Sequence, residues 1–216
     1  MSEIFSATVN SLAVVAANPA VVLALLGVLV LILFSVRVKK IGWTVSMTTN
    51  IAVMLAVAVV LNQLRLFHMP QGGSVTPGSM MPLFLIAWRY GVNVGMLAGF
   101  LFGIINILQD PFILHPVQVL FDYPLPFMAM GLAALVADNF FLGVIIAFAG
   151  RFLCHFLSGI VFFGAYAPEG VSPVMWSLSF NATYIVGETL VCLALVKVLP
   201  IKRMLTAMDK SLSPSH

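Results

Sequence analysis

Residues 140–163 read FFLGVIIAFAGRFLCHFLSGIVFF, and this stretch decides the fold class. Its one formal charge is Arg151. As a helix rising about 1.5 Å per residue it is long enough to cross the roughly 30 Å hydrocarbon core of a bilayer. A helix that is apolar all round belongs in lipid or deep in protein. The rest of the chain has the same character. Of its 216 residues, 62% are hydrophobic and 8% are charged. A water-soluble domain carries about 25% charged residues. The sequence therefore specifies an all-α integral membrane protein.

Seven candidate spans follow from apolar run length, about Val14 to Val38, Trp43 to Leu64, Met80 to Tyr90, Val92 to Leu108, Leu125 to Ala137, Phe140 to Phe163 and Met175 to Leu199. The third and fifth are short for a span. The first is read as a retained helix, because residues 4–36 carry no charge and Arg37, Lys39 and Lys40 follow the apolar run. A cleavable signal has the opposite order. Met204 to His216 are expected to lack regular structure. Cys154 and Cys192 lie inside apolar runs and read as small buried hydrophobes.

Basic residues orient the chain. With the N-terminus outside, Arg37, Lys39, Lys40, Arg89, Lys197, Lys202, Arg203 and Lys210 fall on one side, eight of the ten basic residues. That side is expected to be cytoplasmic, with the C-terminus on it. The outer side then holds Glu3, Asp110, Asp122 and Glu169 against Arg65, an arrangement that attracts a cation. The outer connections, Arg65 to Gly78, Gln109 to Pro124 and Ala165 to Pro173, are also the chemically rich ones, so the site is expected there. A net charge of +3 gives no reason to expect nucleic acid.

Three clusters carry possible chemistry. His115, Pro116, Gln118, Asp122 and Tyr123 place an imidazole, an amide, a carboxylate and a phenol in one loop. Asp122 reads equally as a ligand-facing anion or as a helix cap ahead of Pro124. His155, Gly159 and Phe163 share one face of the sixth span. A polar side chain at membrane depth faces protein or a cavity. Asn181, Tyr184 and Glu188 share a face of the seventh, below Trp176. An unpaired charge in the bilayer is costly, so Arg151 and Glu188 are expected to form a structural ion pair. On the second span, Ala52-x-x-x-Ala56 makes a small-residue stripe suited to close helix approach. No H-E-x-x-H, G-x-S-x-G or phosphate-binding loop occurs, so the chain is not read as an enzyme. An intramembrane enzyme using His155, Asp122 and Glu188 remains a distant alternative.

Four stretches carry a family resemblance: GGSVTPGSMMPLFLIAWRYG from Gly72, HPVQVLFDYPL from His115, RFLCHFLSGIVFFGAYAPEG from Arg151 and SLSFNATYIVGE from Ser177. In these the chain resembles the thiamine-specific substrate-binding subunits (S components, ThiT) of energy-coupling-factor (ECF) transporters. The resemblance implies a six-helix bundle over residues 41–200; the transmembrane helix expected in 1–40 is additional to that pattern, and a basic cytoplasmic tail is expected in 201–216. It implies high-affinity capture of thiamine at the outer face of the cytoplasmic membrane, with Asp122, Tyr123, His155, Gly159, Phe163, Trp176 and Asn181 as pocket residues. Phe67 or His68 is the candidate for one further aromatic. It implies docking of the Ala52/Ala56 stripe on a transmembrane coupling subunit, with two cytoplasmic ATPase subunits completing an ATP-driven importer. No cofactor or metal is implied. The same bundle would serve another vitamin or a thiamine precursor, and only the pocket distinguishes these.

Overall fold

The structure, a computed structural model, describes residues 17–210. The start of the first expected span, Glu3 and the last six residues lie outside this range. Among the described residues, helices α1 (Pro19–Val38), α2 (Val45–Gln63), α3 (Met81–Tyr90), α4 (Val92–Gln109), α5 (Pro116–Asp122), α6 (Pro124–Met128), α7 (Phe140–Phe162), α8 (Pro173–Val198) and α9 (Ile201–Lys210) form a bundle. A two-residue antiparallel pair, β1 (Phe67–His68) with β2 (Ser74–Val75), lies between α2 and α3.

Side-chain caps start the long helices. Asn18, Thr44, Asn139 and Ser172 each accept a backbone N–H of the first turn, and Pro19 and Pro173 occupy the first helical position. Such caps satisfy donors that a helix start leaves open. Six helical segments among the described residues are long and apolar enough to cross a membrane. Their outward surfaces are apolar too, as at Leu25, Leu29, Ile32 and Leu33 of α1 and Val53, Val57 and Val60 of α2. Contiguous apolar surface on this scale matches lipid rather than water.

Two expected spans take unexpected forms. The Met80–Tyr90 segment is the ten-residue helix α3, about 15 Å long by helical rise and roughly half the hydrocarbon thickness. It survives because protein surrounds it: every residue from Met81 to Trp88 is buried. The chain from Leu64 to Met80, which contains β1 and β2, leads into it. Gly91, at φ 86°, then makes the sharp turn into α4.

The fifth span is longer than Leu125–Ala137 and is broken. It runs Pro116–Val136 as α5, α6 and a 3-10 helix, Ala129–Val136. Pro124 and Pro126 have no N–H to offer the carbonyls one turn earlier, which interrupts the helix. The broken segment lies against a glycine track on α4. A side chain on Gly95 would strike Gly131, one on Gly99 the Phe127 carbonyl, and one on Gly103 the Tyr123 carbonyl. Small residues four apart allow this backbone approach.

The C-terminal segment also departs from expectation. Residues 201–210 form α9, whose Ile201 and Met208 are buried against the bundle while Lys202 and Arg203 are exposed. Asn50 donates to the Tyr90 hydroxyl at 2.7 Å and to the Met208 carbonyl at 3.2 Å, tying α2, α3 and α9 together at one end. The helix ends carrying Arg89 and Lys197 gather there.

Candidate functional site

A cavity opens at the opposite end, between α7, α8, the β1–β2 segment and the α4–α5 connection. Its mouth is edged by Arg65 and Asp110, whose side chains make an ion pair at 3.3 Å and are 24% and 31% exposed. Asp122, Tyr123, His155, Gly159, Phe163, Trp176 and Asn181 all line it. With the rest of the lining, four separate stretches of sequence converge on one hollow.

Asp122 is the last residue of α5 and caps no helix. His115 caps α5 instead, in a reciprocal capping box with Gln118. Gln118, one turn before Asp122, donates to its Oδ2 at 2.6 Å and to the Phe112 carbonyl at 2.9 Å. His155 Nδ1 lies 3.4 Å from Asp122 Oδ1. The carboxylate is therefore held from both sides, and the imidazole is turned so that its buried Nε2 has no protein partner. A buried polar atom without a partner is costly unless a ligand or water meets it.

Tyr123 serves the wall rather than the hollow's centre. Its hydroxyl donates to the Asp110 carbonyl at 2.8 Å and accepts the Phe112 N–H at 2.6 Å, fixing the α4–α5 connection. Gly159 permits helix contact: a methyl there would collide with Ser177 Oγ and crowd Asn181 Nδ2. Asn181 Nδ2 donates to the Ser177 carbonyl at 2.9 Å, and its Oδ1 accepts the Tyr184 hydroxyl at 2.9 Å.

Aromatic rings form two walls. Phe112 stacks on Phe163 at 5.7 Å between centroids, with Tyr166 against both. Opposite, Trp176, Phe180 and Tyr184 follow one another up a face of α8, with centroids 5.4 and 6.2 Å apart. Phe180 is legible from sequence, since it sits one turn from both neighbours. Phe112 carries no sequence signal, because it reaches the cavity from a loop. Phe67 is half exposed and His68 bonds Ser74; neither lines the cavity.

The expected Arg151–Glu188 ion pair is not formed. Glu188 accepts the Thr76 hydroxyl at 2.6 Å and the Thr76 N–H at 2.5 Å, with the Ser79 hydroxyl at 3.5 Å. Arg151 lies over the Phe127 ring, 4.8 Å from its centroid, and its buried Nε and Nη1 have no partner. Both residues line the cavity floor. The dipole-rich loop before α3 supplies Glu188 with closer donors than the arginine, and the aromatic face shelters the cation. Arg151 and Glu188 therefore join the site rather than standing apart from it.

A helical membrane protein with an aromatic-walled, charge-bearing hollow open at one end has the build of a binder of small polar molecules. Residues 48–207 match the family described as Thiamine transporter protein (Thia_YuaJ). Thiamine transporter ThiT of Bacillus subtilis is 38% identical over 162 residues, spanning 66% of this chain and 84% of that protein. Thiamine transporter ThiT of Lacticaseibacillus paracasei is 29% identical over 140 residues, 56% of this chain and 70% of that protein. A solved structure of ThiT from Listeria monocytogenes shares the fold, with a TM-score of 0.65 at 24% identity over 78% of this chain and 97% of that one. The chain belongs to the thiamine transporter protein family.

Proposed function

We propose that the chain captures thiamine in this cavity, as the substrate-binding subunit of an ATP-driven energy-coupling-factor importer. The carrying observation is Asp122, held by Gln118 and His155 between two aromatic walls. Thiamine joins an aminopyrimidine to a thiazolium bearing one positive charge. Arg65 and Arg151 face three carboxylates, Asp110, Asp122 and Glu188, across the lining, which leaves one formal negative charge to meet it. The walls offer ring faces for stacking and cation–π attraction. Asp122 neutralises the cation or accepts from the amino group, while His155 and Asn181 read the pyrimidine edge. A ligand with no group to meet His155 Nε2 leaves that buried atom unpaired, which is the basis of selectivity.

The basic end of the bundle faces the cytoplasm and the cavity faces outward, in keeping with the positive-inside bias. Ala52 and Ala56 are both exposed on α2, a flat strip where a coupling subunit's helix can seat. Two cytoplasmic ATPases then supply the energy, since this sequence has no phosphate-binding loop.

Titration of the purified protein with thiamine, followed by quenching of intrinsic tryptophan fluorescence, tests the binding reading, since Trp176 lines the cavity. Saturable one-to-one quenching by thiamine, and not by other vitamins or the separate pyrimidine precursor, is expected. Preference for another member of that panel reassigns the cargo.

A further inference from the structure

We propose that α1, which precedes the family match at residues 48–207, is a positioning element for the binding cavity and acts through Gly27 on the helix that carries Asp122. This rests on the thiamine reading above. Helix α5 has only seven residues, between Pro116 at its start and the break at Pro124. A helix this short does not hold itself, and the prolines deny it continuity with α6. Its position must come from its neighbours.

Its two faces divide the work. Gln118 and Asp122 turn to the cavity. Val117, Leu120 and Phe121 turn the other way, into a second apolar core that Leu23 and Phe34 of α1 close. At its centre the backbone of α1 comes close: a methyl on Gly27 would lie 2.5 Å from Leu120 Cδ2 and 3.2 Å from Phe121 Cε2. Phe34 packs on Phe100 of α4, centroids 6.1 Å apart, and fixes the other end of α1. The carboxylate of Asp122 is thus one residue from Phe121, whose ring packs in the core shared with α1. Pushing α1 outward at Gly27 shifts Leu120 and Phe121, and with them the geometry of Asp122 against His155.

The test is thiamine binding to the full chain, read as equilibrium affinity and dissociation rate. Wild-type protein is measured first; if it binds no thiamine, the function reading fails independently of this proposal. Gly27→Leu is expected to weaken affinity at least about tenfold, chiefly through faster release. Leu120→Ala added to Gly27→Leu vacates the colliding volume and is expected to restore most of that loss. Leu25→Trp, on the exposed side of the same helix, is expected to bind as wild type. If Gly27→Leu does not yield folded protein, Gly27→Val, whose branched side chain also presses on Phe121, replaces it, with release several-fold faster than wild type. Wild-type affinity and release in whichever Gly27 variant folds, or an equal loss in Leu25→Trp, overturns the proposal.

Discussion

Thr76 and Glu188 are 112 residues apart in sequence, yet the Glu188 carboxylate accepts both the hydroxyl and the backbone N–H of Thr76, at 2.6 and 2.5 Å. This relationship seats the irregular chain before α3 inside the bundle. Non-helical backbone at membrane depth is tolerated only where protein or a watery cavity satisfies it. Glu188 does so from α8, and the fit continues along that helix. Gly187 admits Val75, and Gly73, at φ 91°, lies flat on the Tyr184 ring.

Glu188→Ala removes that acceptor and leaves buried donors of Thr76 and Ser79 unmet. The expected loss is about 1–3 kcal/mol. Thermal unfolding in detergent should show a lower midpoint than wild type, with Glu188→Gln between the two because one accepting oxygen remains. Equal midpoints for all three proteins would remove Glu188 from its anchoring role.

Gly159→Ala places a methyl against Ser177 Oγ on the facing helix. Both partners are backbone-anchored in long helices, so α7 and α8 must separate. Overpacking of this kind costs about 1–3 kcal/mol. A reduced thermal midpoint together with weaker thiamine binding is expected, because Asn181 shifts with Ser177. A variant matching wild type in both measurements contradicts the packing described.

Phe163 is stacked on Phe112 rather than free to rotate. Phe163→Ala strips one face of that wall, and an aromatic contact with a desolvated cation is worth roughly 1–2 kcal/mol. Affinity for thiamine should fall about tenfold, while Phe163→Trp should hold or tighten it. Fluorescence or calorimetric titration reads both, and unchanged affinity in Phe163→Ala places the ligand elsewhere.

Ala52→Trp and Ala56→Trp occupy the exposed strip of α2 without touching the cavity. Thiamine binding by purified protein should be unchanged, while uptake into cells with the complete importer should be lost. Normal uptake in both variants rules out this strip as the coupling surface.

Much of the bundle is legible from run length and charge alone, because hydrocarbon imposes a simple rule on helix length and composition. The exceptions share a cause. α3 is ten residues long because tertiary burial replaces lipid contact, and no local pattern announces that. α5 is polar on its cavity face, so apolar run length starts the fifth span at Leu125 rather than Pro116. The Arg151–Glu188 expectation compared depths along two helices and could not see the loop that reaches Glu188 first. The glycine spacing in VGMLAGFLFG, Val94 to Gly103, was a readable sign of close packing on α4. In the site, periodicity picks out His155, Gly159 and Phe163 on α7 and Asn181, Tyr184 and Glu188 on α8, whereas Trp176 enters through the family resemblance. Phe112 and Arg65 arrive from connections and carry no such pattern.

The most direct measurement of the central claim is thiamine affinity in Asp122→Asn. The substitution keeps the side chain's size and removes its charge. Loss of a charge-assisted contact of about 1.5–3 kcal/mol predicts affinity roughly ten to a hundred times weaker, in protein with a wild-type unfolding profile. Wild-type affinity in folded Asp122→Asn would contradict the account.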